Sequence, residues 1–236
     1  MKIRSILFVI GVTFSQFSLA QQTLPRDPDC CTSIMVGKLA STDGSVMTSH
    51  TCDSWYRTWV NVVPAADFAN DTVMNIYDGR MHTESVNDQT KLTVKGQIPQ
   101  AKHTYAFLDT AYPCLNEKQL AMGETTISGR DTLRNPKGMF MIEELARVAL
   151  QRCTTARDAI QLMGKLVKEY GYGDSGECLT IADPKEVWHF EIFGEGPDQI
   201  VTKMLSFRLA VYGLPYVSPT MKWAYRPISH ASARST

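Results

Sequence analysis

The sequence predicts a layered α+β fold, and three features predict it. Candidate strands across 32–50 pair as a hairpin. Two amphipathic helical runs follow one another between about 137 and 171. An alternating hairpin comes next, at 178–192.

Residues 32–37 (TSIMVG) and 45–50 (SVMTSH) are strand candidates, and the Asp43-Gly44 pair between them is a tight-turn signal. Residues 58–63 (TWVNVV) form a third strand candidate. The stretch 67–100 is polar, with scattered Asp, Asn and Gly, and reads as loop with weak strands. Short strands are expected at 104–108 and 119–122. Lys137-Gly138 opens a helical run in which Met141, Ile142, Leu145, Val148 and Ala149 share one face. Thr154 or Thr155 can cap a second helix, with Ala159, Ile160, Met163 and Val167 on one side and Gly171 and Gly173 at its end. In the last hairpin, Asp183-Pro184 supplies the turn.

Bulk composition narrows the function. With 236 residues, 44% of them hydrophobic, the chain can bury one sizeable core. Lys plus Arg number 24 and Asp plus Glu number 24, so there is no electrostatic footprint for nucleic acid and no basic face for an anionic membrane. Residues 1–20 read as a secretory signal peptide: Lys2 and Arg4, an apolar run broken by Gly11, Thr13 and Ser15, then Ser18-Leu19-Ala20 before Gln21. The run is too short and too interrupted to span a bilayer. Residues 21–30, with two prolines and three charges, read as a short propeptide or linker. A secreted or periplasmic location is therefore expected, without membrane attachment after signal removal.

Six cysteines occur: Cys30, Cys31, Cys52, Cys114, Cys153 and Cys178. Their spacing is not that of a small disulfide scaffold, and adjacent cysteines such as Cys30 and Cys31 rarely bond to each other. No CxxC is present. Cys31 stands apart because it lies where the linker meets the first strand, is followed by Thr32, and is approached by the returning hairpin with His50 and Asp53. Cys52, Cys114, Cys153 and Cys178 read as packing residues.

Three blocks in order carry a resemblance. They are Cys31-Thr-Ser-Ile-Met-Val-Gly-Lys with Ala40-Ser-Thr-Asp-Gly-Ser and Asp53-Ser54; then residues 112–126 (YPCLNEKQLAMGETT); then residues 176–188 (GECLTIADPKEVW). Together, over about 31–200, the chain resembles the PepD-type, secernin-like dipeptidases among the N-terminal-nucleophile (Ntn) hydrolases. The resemblance implies an αββα four-layer sandwich, dipeptide substrates, no cofactor and no metal, and it leaves homo-oligomerisation open. It implies that Cys31 is the nucleophile, freed by autocatalytic cleavage of the Cys30–Cys31 bond. An internal thiol has a pKa near 8.5 and needs a base, whereas an N-terminal Cys carries an α-amine of roughly 7.7–8.0 that can take the proton.

By the same resemblance Asp53 orients the α-amine, the reading favoured over that of an Asp that shapes a turn. Asn116 matches a position near the oxyanion, where donors lower the barrier, or it is a turn Asn. His50 stands where the wider superfamily places Arg; it polarises the thiol or is a satisfied strand histidine. Glu124 is structural or contacts the substrate amine.

The family pattern breaks after Ile200. Shifted by one base with permitted synonymous codons, 210–233 becomes a string that resembles the family's next segment, so 201–236 is expected to be an out-of-frame tail on a truncated domain. Two other readings stay open: an Ntn acylase acting on bile-salt or penicillin-type amides, and an inactive exported fragment. The five histidines are dispersed and no HExxH occurs, which argues against a metallopeptidase; no GxSxG supports a serine triad.

Overall fold

A computed structural model describes residues 31–127 and 130–197 fully, and 205–210 by their backbone. The signal peptide and linker expected at 1–30 lie outside the described residues, as does the tail beyond 210.

The chain opens as expected with an antiparallel hairpin. Strand β1 (Ser33–Val36) pairs with β2 (Met47–His50), with Ser33 opposite His50 and Val36 opposite Met47. Its turn uses the Asp-Gly signal: Asp43 Oδ1 accepts from the Ser45 N–H at 3.0 Å, and Gly44 has φ +75°. Then follow β3 (Asn61–Val63), β4 (Ala66–Asp67), β5 (Val73–Asp78), β6 (Thr93–Pro99), β7 (His103–Thr104), β8 (Phe107–Asp109), β9 (Leu115–Asn116) and β10 (Ala121–Thr126). Helices α1 (Ile142–Arg152) and α2 (Ala156–Tyr170) come next, then β11 (Gly176–Ala182), β12 (Val187–Phe193) and β13 (Leu205–Ala210).

Seven of these strands build one sheet in the order β13-β12-β11-β10-β9-β8-β3, with every neighbouring pair antiparallel. Alternation along the strands sorts its two faces. Leu179, Ile181, Phe190 and Ile192 join the large core that includes Leu145, Val148, Met163 and Val167 of the helices. Ala182 and Val187 point the other way and pack on Met35 of the β1–β2 hairpin. The layers are thus a helix pair, the sheet, and the hairpin laid over β10 and β11, an α+β arrangement. Within the segment expected to be out of frame, Leu205–Ala210 forms the sheet's edge strand.

Two expectations are corrected. Residues 67–100 are not loop with weak strands: β5 and β6 form a hairpin of their own. Ile76 and Ile98 are fully buried in the core, one anchor on each strand, while Val73 and Val94 stand exposed. Apolar residues on both faces blur the alternation that marks a strand in sequence. Helix α1 does not bury only one face either. Every residue from Ile142 to Leu150 is buried, including Glu143, Glu144 and Arg147. Glu144 and Arg147 are enclosed through ion pairs: Glu144 bonds Arg80 at 2.5 Å and Arg147 at 3.1 Å, while Asp109 bonds Arg147 at 2.6 Å and Arg57 at 2.5 Å; Glu143 has no hydrogen-bond partner on either carboxyl oxygen, and burial raises its pKa to about 8. Buried charges require such pairing.

Helix α2 follows its sequence signals. Thr155 caps it by accepting from the Asp158 N–H at 3.2 Å, and Gly171, at φ +80°, ends it. The Asp183 carboxylate adds a second anchor. Its Oδ2 accepts from the Ala156 N–H at 2.9 Å, while its Oδ1 holds the β11–β12 turn through the Lys185 and Glu186 N–H groups.

Candidate active site

The hairpin seats Cys31 against the sheet. Ser33 is buried; its hydroxyl bonds Thr125 Oγ1 and lies 3.4 Å from the Glu124 carbonyl, so β1 is fixed on β10. Thr48 Oγ1 bonds Thr180 Oγ1, fixing β2 on β11 at 2.5 Å. Cys31, just before β1, is only 1% exposed.

The thiol is surrounded by donors. The Cys52 thiol bonds Cys31, and the backbone N–H groups of Asp53 and Thr126 point at the same sulfur. These bonds, led by the one from Cys52, outweigh the cost of burial and hold the Cys31 thiol down at about 6. The Cys52 thiol is pushed far up by the same interaction, so it keeps its proton and acts as donor. Beside them, Cys31 Sγ lies 3.9 Å from Glu124 Oε2. Burial lifts the Glu124 carboxyl to about 7, although Glu177, Thr126 and Tyr112 all hydrogen-bond to it. Glu177 is raised well above the carboxylate range, first by burial and then by Glu124.

Not all the expected residues gather here. Asp53 does: Thr51 Oγ1 donates to its Oδ2 at 3.0 Å, and the same hydroxyl accepts from the Thr32 N–H at 3.0 Å. The carboxylate is therefore tied to the backbone one residue after the Cys31 nitrogen. Glu124 also belongs to the site. His50 sits opposite Ser33, two positions along the ladder from Cys52, and packs over Gly123. Burial lowers its pKa by disfavouring the charged ring.

Asn116 has a full set of hydrogen-bond partners. Its side-chain amide donates to the carbonyls of Leu150 and Cys153, at 2.7 and 2.9 Å, and its oxygen accepts from the Lys118 and Leu120 N–H groups, both at 3.0 Å. Every position of the amide is used, and its backbone N–H is taken by the Leu120 carbonyl. It ties the β9–β10 turn to the end of α1 and has no free donor for an oxyanion.

Sequence reasoning missed Cys52, Thr126, Tyr112 and Glu177. The signal for Cys52 was present, because the ladder register that sets Ser33 opposite His50 also sets Cys31 opposite Cys52. Cys178 is more than packing as well: its sulfur lies 3.0 Å from His189 Nε2, which is 3.2 Å from Glu191, on the sheet face that carries Thr180. No group of three or more His, Cys, Asp or Glu able to hold a metal ion occurs among the described residues.

The model of peptidase family C69 matches residues 30–204, beginning at this site and running through the sheet. The chain belongs to peptidase family C69. Within that family's reach, it is 27% identical over 166 residues to a "Probable dipeptidase" of Latilactobacillus sakei, covering 69% of this chain and 34% of the relative. It is 27% identical over 186 residues to a "Probable dipeptidase B" of Lactococcus lactis subsp. lactis (strain IL1403), covering 72% and 36%. A "Probable dipeptidase A" of Streptococcus pyogenes serotype M1 is 26% identical over 179 residues, covering 70% and 35%. The chain spans about a third of the length of these relatives.

Proposed function

We propose that this C69 chain is the nucleophile-bearing part of an exported cysteine dipeptidase, with Cys31 freed as a new N-terminus by cleavage after Cys30. The observation that carries the reading is the Cys31 sulfur itself, buried among three donors that hold it near 6. Such a thiol gives up its proton more readily than an ordinary cysteine and, once a base takes it, attacks a peptide carbonyl to form a thioester, which water then hydrolyses.

In the cleaved form the α-amine of Cys31 serves as base for later turnovers. Asp53 orients that amine, a role supported by its tie through Thr51 to the Thr32 nitrogen. The layering of helices, sheet and covering hairpin supports reading the chain as part of an αββα sandwich, in which β1–β2 starts the second sheet. The relatives' dipeptidase names support dipeptides over acyl amides. Export rests on the sequence of residues 1–20.

The test combines N-terminal sequencing with an activity panel. The expected chain begins at Cys31, hydrolyses dipeptides better than bile-salt or penicillin-type amides, and loses turnover in Cys31→Ala. Turnover retained by Cys31→Ala refutes the mechanism. A Cys31 terminus without any hydrolysis favours a fragment that needs further protein to act.

A further inference from the structure

Before the Cys30–Cys31 bond is cut, the Cys31 nitrogen is an amide and has no basic lone pair. The α-amine that serves later turnovers does not yet exist, so the first cut requires a different base. We propose that Glu124 is that base, taking the proton of the Cys31 thiol for self-cleavage of the chain. The inference rests on the reading of Cys31 as a nucleophile freed by cleavage.

The geometry selects Glu124 from the neighbouring groups. Its Oε2 is the carboxylate oxygen that the Cys31 thiol meets, at 3.9 Å, and both residues are about 1% exposed. Contacts of this kind are often long before the reacting geometry is reached. Asp53 meets the sulfur through its backbone N–H and not through its carboxylate, whose Oδ2 accepts from Thr51 Oγ1. His50 lies two positions along the ladder, over Gly123. Cys52 holds its proton and donates it to the sulfur as a hydrogen bond.

Glu124 is equipped to receive a proton and return it. The titratable groups facing it are Cys31 and Cys52 from the hairpin side, Glu177 from β11, Tyr112 from the β8–β9 connection, and Tyr172 after α2. Glu177 and the two tyrosines stay protonated, which leaves Glu124 and Cys31 as the pair that exchanges a proton near neutrality. With values of about 7 and about 6, the transfer is close to balanced. Glu177, bonded to Glu124, is a positioning residue.

The step closes chemically. The Cys31 thiol gives its proton to Glu124, and Sγ attacks the Cys30 carbonyl carbon. The C–N bond breaks as Glu124 passes the proton to the Cys31 nitrogen, leaving a thioester and a free α-amine. Water then adds to the thioester, giving the Cys30 carboxyl group and restoring the thiol. One water is added across one peptide bond, with no oxidant or reductant.

The test compares full-length wild type, Cys31→Ala, Glu124→Gln and Glu124→Asp by intact mass and N-terminal sequencing over time. Glu124→Gln is expected to slow the cut by ~100-fold or more, the usual range for loss of a general base, with wild-type near-UV circular dichroism. Glu124→Asp recovers part of the rate. A Glu124→Gln chain cut at the wild-type rate, while Cys31→Ala stays uncut, overturns this inference and leaves the nucleophile standing. Cys31→Ala cut like wild type points to an external protease and overturns the reading beneath it; an uncut wild-type chain overturns both. If Glu124→Gln loses its fold, Glu124→Asp decides: the shorter acid should slow the cut at least ~10-fold, and an unchanged rate rejects the proposal.

Discussion

Cys31 and Cys52 face each other across the start of the β1–β2 ladder, one pair beyond Thr32 and Thr51, whose backbones are joined by the Thr51 N–H to Thr32 carbonyl bond at 2.9 Å. The Cys52 thiol is the strongest influence holding Cys31 near 6. Cys52→Ala removes that donor while leaving the backbone N–H groups of Asp53 and Thr126. The Cys31 thiol should then titrate closer to an ordinary cysteine. Alkylation by iodoacetamide at pH 6.5 should slow on the order of tenfold, since the thiolate fraction sets the rate. The rate–pH profile in a Cys114→Ser, Cys153→Ser background checks this, and an unmoved inflection counts against the role of Cys52.

Asn116 holds the β9–β10 turn to the end of α1 with four side-chain hydrogen bonds. Asn116→Ala leaves the carbonyls of Leu150 and Cys153 and two N–H groups without these partners in a buried place. A loss of about 2–4 kcal/mol in urea unfolding is expected, given that each unsatisfied buried group costs about 1–3 kcal/mol. A change below about 0.5 kcal/mol would contradict the structural role.

Glu143 is fully buried in the first turn of α1, and burial followed by repulsion from Glu144 raises its pKa to about 8. The folded chain therefore binds a proton between the ordinary carboxyl value and about 8 that the unfolded chain releases. Stability from this group is fully present at acid pH and falls as pH rises through that window. Burial raises Glu124 and Glu177 too, so they act in the same direction. Urea unfolding at pH 5.5 and 8.5 should show the chain weaker at the higher pH, and Glu143→Gln should reduce the difference. Cys31 and His50, both lowered in the folded chain, act in the opposite sense, so a Glu143→Gln variant that keeps the full wild-type difference is the result that would falsify the assignment.

Gly123 allows the hairpin to lie on the sheet. A Cβ there would stand 2.7 Å from Thr180 Oγ1 and 3.1 Å from His50 Nδ1. Gly123→Ala must lift β2 or displace both side chains, costing about 1–3 kcal/mol as overpacking does. Since the same hairpin carries Cys52 and seats Cys31, alkylation of Cys31 should also fall to less than half. Thermal unfolding together with the alkylation rate checks both effects; a stable variant with normal alkylation removes Gly123 from the seating of the hairpin.

The sequence by itself determined the elements whose signals are local. The Asp43-Gly44 turn, the Thr155 cap, the Gly171 stop and the alternation of 178–192 each act within a few residues, and each forms where its chemistry places it. The place of Cys31 just ahead of the first strand was legible too, because it is a feature of the chain's order. Only the tertiary structure decided what surrounds these elements. Glu124 meets Cys31 across 93 positions, and Asn116 turns its amide to the carbonyls at the end of α1. Burial of α1 on all sides depends on Asp109, Arg57 and Arg80, which arrive from distant strands and loops. Whether a polar side chain performs chemistry or holds two elements together depends on which groups reach it through space, and that pairing is settled only when the layers close.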